Sequence, residues 1–170
     1  MNPAWHPIVA VDPGGRATGI VVRHRDRLHH SKLIVRGDPA MSFDFYLQAV
    51  IDAVTKARDV ARINTVVVPV EARYSSIPLA VEDLTDPNPH MGLTSLRGLI
   101  DTAQVIGAIA GQWIIIRIPP GGHGSGPLAA YPKALIGERE KRGAGQYRHL
   151  RSAWDIAATA RTLTRQRAGA

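Results

Sequence analysis

The alternation of apolar and polar stretches predicts the element order β-β-β-α-β-α-β-α. Ile8 to Asp12 is a short apolar run stopped by Pro13-Gly14-Gly15, and Thr18 to Arg23 follows as a second strand. A polar turn at Arg25-Asp26-Arg27 leads to a third strand over Leu28 to Val35, and strands joined by so short a turn form an antiparallel hairpin. Behind Ser42, a suitable N-cap, Phe43, Leu47, Val50, Ile51, Val54 and Ala57 recur at helical spacing to about Arg58. Thr65 to Glu71 is almost continuously apolar, as in a parallel strand buried on both faces, with Pro69 marking a bulge or break. Ser75 to His90, rich in Pro and Asp, predicts a loop. A helix over Gly92 to Gly111 would carry Leu96, Ile100, Ala103, Gly107 and Ala110 on its core stripe. Gln112 to Ile118 predicts a strand, Pro119 to Pro127 a mobile Gly/Pro loop, and Ser152 to Leu163 a last helix with a frayed tail over 164–170. The sum is one α/β domain over 1–170, a mixed sheet with an N-terminal antiparallel three-strand portion and helices on both faces.

Composition narrows the function. The chain has 170 residues, a formal charge of +7 and no Cys, which excludes disulfides, thiolate metal sites and a cysteine nucleophile. Only Lys32, Lys56, Lys133 and Lys141 are lysines among 21 basic residues. Arginine forks suit phosphate, although a GC-rich coding bias produces the same excess. Positive charge makes nucleic acid the first partner to consider. The apolar stretch Leu99 to Ile118 is interrupted by Asp101, Gln104, Gln112 and Arg117, so no membrane span is expected. No signal-peptide pattern opens the chain, and a cytoplasmic location is expected.

The informative residues are acidic. Asp12 and Glu71 each close an apolar run, and Asp155 sits within Ala153-Trp154-Asp155-Ile156-Ala157-Ala158. Each has an ordinary reading: Asp12 as a turn residue, Glu71 as a partner of Arg73, Asp155 as part of a Ser152 capping box. Asp101 falls off the assigned core stripe and is read as surface. Sites in open α/β sheets form at the C-terminal ends of strands. If the Asp12 and Glu71 strands are parallel neighbours, their carboxylates lie side by side. Clustered carboxylates require a counter-cation, and hard oxygen ligands select Mg²⁺ or Mn²⁺. Two such ions about 3.5–4 Å apart can drive phosphodiester hydrolysis.

Val9 to Gly19 resembles the opening motif of RuvC-type Holliday junction resolvases, an apolar run followed by D-P-G-x-x-x-T-G. Val67 to Tyr74 resembles their second motif, a strand ending in Glu with an aromatic three positions on. Ala153 to Ala160 resembles their C-terminal helix motif of small residues around an Asp. Tyr131 to Gly137 is similar to a segment of RuvC-like proteins of actinobacterial bacteriophages, which would place the protein in a host cytoplasm. The resemblance implies an RNase H-like fold and a homodimer. It implies metal binding and catalysis by Asp12, Glu71 and Asp155 with symmetric cleavage across a four-way DNA junction, and no nucleotide cofactor. Tyr74 matches the position of a base-stacking aromatic. Many members carry a further Asp or His three residues before the helix Asp, where this chain has Ser152. His149 is the nearest substitute. On a continuous helix it would stand about 9 Å and roughly 120° from Asp155, whereas in a loop before a Ser152 cap it could swing to the metal. Arg73, Arg139, Lys141, Arg142, Arg148 and Arg151 would track the DNA backbone, with Arg23, Arg25 and Arg27 as a second basic cluster. Gly98, Gly107 and Gly111 would permit close packing of a dimer helix. Competing readings are a YqgF-like RNA-processing nuclease with a D-x-G-x-x-x-x-G opening, an inactive branched-DNA-binding module, and an actin-like kinase, which needs two such domains.

Overall fold

The computed structural model describes residues 6–37, 41–65, 77–84, 96–138, 140 and 145–168. Five strands form one mixed sheet: β1 (Ile8–Asp12), β2 (Ala17–His24), β3 (Arg27–Val35), β4 (Leu79–Glu82) and β5 (Ile116–Ile118), in the order β3-β2-β1-β4-β5. β1 pairs antiparallel with β2 and parallel with β4, and β4 pairs parallel with β5. Among the described residues, three α-helices pack on the sheet, α1 (Phe43–Ile63), α2 (Leu96–Gln112) and α3 (Arg148–Ala168).

Side chains alternate across a strand, so the sheet feeds two cores. Val9, Val11, Ile20, Val22, Leu79 and Val81 face α1 and α2. Ile8, Ala10, Val21, Ala80 and Ile118 face α3 through Leu150, Ala153, Ile156, Ala157 and Ala160. Ser42 caps α1 by accepting a hydrogen bond from the Phe45 N–H at 3.2 Å, and the helix runs to Ile63, beyond the expected Arg58.

Several expectations are corrected. The parallel neighbour of β1 is Leu79–Glu82, from within the stretch read as a loop. On its two edges β1 is paired with β2 and β4. Residues 66–76 lie outside the described residues, and Thr65, buried, ties back to the Ala61 carbonyl. The buried face of α2 is Asp101, Val105, Ile106 and Ile109, the opposite of the stripe read as core. Leu96 and Ile100 are exposed. α2 continues to Gln112, so β5 is only Ile116–Ile118. α3 starts at Arg148, which puts Ser152 inside the helix and not at its cap, and it runs on to Ala168 through most of the tail expected to fray. No helix among the described residues is long and apolar enough to cross a membrane.

Candidate active site

β1 and β4 run parallel and end together. The last pair in register is Val11 with Val81, and the next residue on each strand is acidic: Asp12 on β1 and Glu82 on β4. Asp12 is only 8% exposed. The turn after it is fixed from both neighbouring helices. Tyr46 of α1, fully buried, donates from its hydroxyl to the Gly14 carbonyl at 2.6 Å and lies 2.7 Å from Thr18 Oγ1. Burial pushes the Tyr46 phenol up to about 12, so the hydroxyl stays a donor. From α2, Thr102 Oγ1 accepts from the Gly15 N–H at 3.2 Å. A Cβ on Gly15 would lie 2.5 Å from that of Asp101. Asp101 is therefore not a surface residue: it is buried and accepts from Arg97 Nε at 3.0 Å, with Arg36 at 3.7 Å.

α3 crosses the sheet at the same end. Gly19 pairs with Asp12 across β1 and β2, and any Cβ there would strike the His149 carbonyl. The missing side chain lets the first turn of α3 lie on the sheet and sets His149 over Asp12, Nδ1 to Oδ2 at 2.9 Å. His149 reaches the carboxylate from within the helix, without the loop that a Ser152 cap would have supplied. Burial lowers the basicity of its imidazole, but the Asp12 hydrogen bond and charge outweigh this and the net shift is upward.

A second histidine, not anticipated from sequence, closes Glu82. His123 Nδ1 lies 2.8 Å from Glu82 Oε1, and its Nε2 lies 3.4 Å from Thr159 Oγ1 on α3. The Glu82 hydrogen bond raises the His123 imidazole against its burial, and the charges of Asp155 and Asp12 add to that rise. Asp155 faces the same loop. Its Oδ2 accepts from the Gly124 N–H at 2.8 Å and from the Tyr131 hydroxyl at 2.9 Å. Burial, then Asp155, raises the Tyr131 phenol, so it too remains a donor. Gly124 has φ of +73°, and a Cβ there would sit 2.8 Å from the Arg148 carbonyl, so the loop can lie on α3 only with glycine at this position. The segment expected to be mobile is tied to β4 through His123 and to α3 through Gly124.

The structure thus brings together Asp12, Asp155 and His149 of the residues singled out from sequence, and adds Glu82, His123 and Tyr131. Glu71, Arg73, Tyr74, Arg139, Lys141 and Arg142 lie outside the described residues. Arg148 is exposed at the start of α3. Arg151 is not on the surface. It is fully buried, donating to Glu140 Oε2 and Oε1 at 2.7 Å each and to the Leu135 carbonyl at 3.2 Å. The turn of α3 that carries it points into the core.

Among the described residues, no three of these side chains converge closely enough to hold a metal ion as they stand. The donor set nonetheless fits a hard divalent cation. Asp12 Oδ1, Glu82 Oε2 and Asp155 Oδ1 accept no hydrogen bond among the described residues, and carboxylate oxygens with imidazole support are ligands of that kind.

No protein-family model matches the chain, and no curated protein matches it by sequence. A solved structure does: T. thermophilus RuvC in complex with Holliday junction substrate, at 16% identity and a TM-score of 0.59, covering 95% of this chain and 96% of that one. At that identity the likeness is one of fold, and the chain has the RNase H-like α/β architecture that its opening motif led us to expect.

Proposed function

We propose that this protein is a divalent-metal-dependent endonuclease that resolves four-way DNA junctions. The observation that carries the reading is the pair Asp12 and Glu82, ending adjacent parallel strands beneath α3, which brings Asp155 and His149 to the same edge. A fold similar to a protein solved on a Holliday junction, and a net charge of +7, support branched DNA as the substrate.

Asp12, Glu82 and Asp155 would hold the metal, Mg²⁺ or Mn²⁺, with His149 beside them. The bound metal would supply activation of a water and neutralisation of charge on the phosphoryl group. The Asp12 carboxylate orients the His149 ring through Nδ1, which leaves Nε2 free to exchange a proton with a reacting oxygen. His123 and Tyr131 hold Glu82 and Asp155 in position, and the Gly124 N–H fixes the loop that walls the site from one side. Arg148 lies exposed beside His149, where it can meet a backbone phosphate. A homodimer would place two such sites for paired cuts. The exposed stripe Leu96, Ile100, Ala103 and Gly107 on α2 supports that helix as its interface, because Gly107 has open space where a Cβ would be.

The second reading is a branched-DNA-binding module that does not cut. Its support is that each carboxylate already faces a donor of this chain. A labelled four-way junction, incubated with Mg²⁺, Mn²⁺ or Ca²⁺ beside a linear duplex, separates the two. Symmetric nicking of the junction in Mg²⁺ or Mn²⁺ is the expected result, and tight binding without nicking in any metal overturns the nuclease reading.

A further inference from the structure

A basic cleft opens at the far end of the same sheet face. It has a volume of about 330 Å³ and is lined by Arg23, Arg25, Asp26, Ala158, Arg161 and Arg165. Arg23 pairs with Ile8, four residues before Asp12, which separates the cleft from the carboxylates by about 13 Å of strand. Arg161 and Arg165 follow Asp155 by roughly 9 and 15 Å of helix.

The cleft is built before any ligand arrives. Arg23 stacks on Trp154 with its guanidinium 3.8 Å from the ring centroid, donates to the Trp154 carbonyl at 2.8 Å and to the Arg25 carbonyl at 2.7 Å. Arg161 Nη2 is buried and finds no hydrogen-bond partner among the described residues. Burial, then the charges of Arg23 and Arg165, depress the Arg161 guanidinium from its usual range. Guanidinium groups stay protonated in proteins, so the crowding is a standing repulsion. The acidic residue in the lining, Asp26, has a side chain 97% exposed and meets Arg23 at 3.3 Å. Arg23, Arg161 and Arg165 stand around one solvated carboxylate in the lining and leave an excess of positive charge there, and arginine forks match phosphate oxygens in pairs.

We propose that this cleft seats a backbone phosphate of the bound nucleic acid, as a second anchor away from the cleavage site. The anchor rests on the DNA-binding part of the reading above and not on cleavage. Its lever arm would fix how a duplex arm leaves the carboxylates.

The test measures binding without cutting. Labelled linear duplex and four-way junction are titrated in EDTA across about 50 to 300 mM salt, where each phosphate contact contributes about 0.9 to the log–log slope. R161Q/R165Q is expected to lose about tenfold in affinity and about one unit of slope. D26N is expected to bind severalfold tighter. K32Q/K56Q removes the same charge near His30, away from the cleft, and is expected to keep the wild-type slope. R165Q alone, at an exposed position, is expected to lose part of that unit and covers the case in which the double variant melts early. Wild-type affinity and slope in R161Q/R165Q, or an equal loss in K32Q/K56Q, overturns the proposal. So does the finding that inorganic phosphate raises the melting temperature of wild type but not of R161Q/R165Q while DNA affinity is the same in both, which makes the cleft a small-anion site. A wild-type protein that binds duplex through the cleft but never nicks a junction would refute the nuclease reading and leave the anchor standing.

Discussion

Arg151 and Glu140 form a buried ion pair whose removal should be felt throughout the fold. The Arg151 side chain is fully buried and that of Glu140 is 6% exposed, and two hydrogen bonds of 2.7 Å join them. Arg151→Met keeps most of the apolar stem but leaves the Glu140 carboxylate, among the described residues, with the Gly137 N–H at 3.1 Å for a partner. Breaking such a pair from one side costs about 3–5 kcal/mol, which for a chain of this length lowers Tm by about 6–20 °C. The pH dependence has a definite sign. The Arg151 hydrogen bond holds the Glu140 carboxyl below its usual range. Its contribution is therefore fully present above the unfolded carboxyl value of about 4.3 and is lost as pH falls through the lower folded value. Urea denaturation at neutral pH and at about pH 3 should show a large difference between wild type and R151M that shrinks in acid. Equal stability at neutral pH, combined with a shallower salt dependence of DNA binding in R151M, would refute the structural role and return Arg151 to the DNA surface.

Three further outcomes follow from the packing. Gly19→Ala should cost about 1–3 kcal/mol by overpacking, because its Cβ meets the His149 carbonyl; the loss is read as a lower Tm together with weaker junction cleavage. Tyr46→Phe should cost about 1 kcal/mol in chemical denaturation, since it removes the donor to the Gly14 carbonyl. Ile100→Glu, at a position 47% exposed on α2, should leave the monomer as stable as wild type but shift a dimer toward monomer in sedimentation.

The first three strands were legible because their pattern is local: an apolar run, a Gly-rich stop and a short polar turn, with Ser42 as the cap of the next helix. β4 was not. Four residues, Leu79–Glu82, are too short to show a period, and the longer run Thr65 to Glu71 carried the stronger strand signal. Its one clue was an apolar run ended by an acid, the same sign that exposed Asp12. The faces of α2 were exchanged because both are apolar; branched Val105, Ile106 and Ile109 fill the core, while Ala103 and Gly107 leave a smooth exposed stripe. In the site, Asp12 and Asp155 stood out as acids in apolar company. His123 gave no signal, because a Gly/Pro loop has no periodicity to say which way a side chain turns. The role of Gly19 depends on contact with a helix well over a hundred residues away, which only the tertiary structure reveals.

The central claim is that Glu82, beside Asp12, is the second carboxylate of a nuclease centre. The direct measurement is cleavage and binding of a labelled four-way junction by wild type, D12N, E82Q and E71Q in Mg²⁺. The account predicts that D12N and E82Q each lose cleavage by about a thousandfold or more while still binding the junction. Cleavage by E82Q at the wild-type rate would contradict it, most plainly if E71Q alone were inactive.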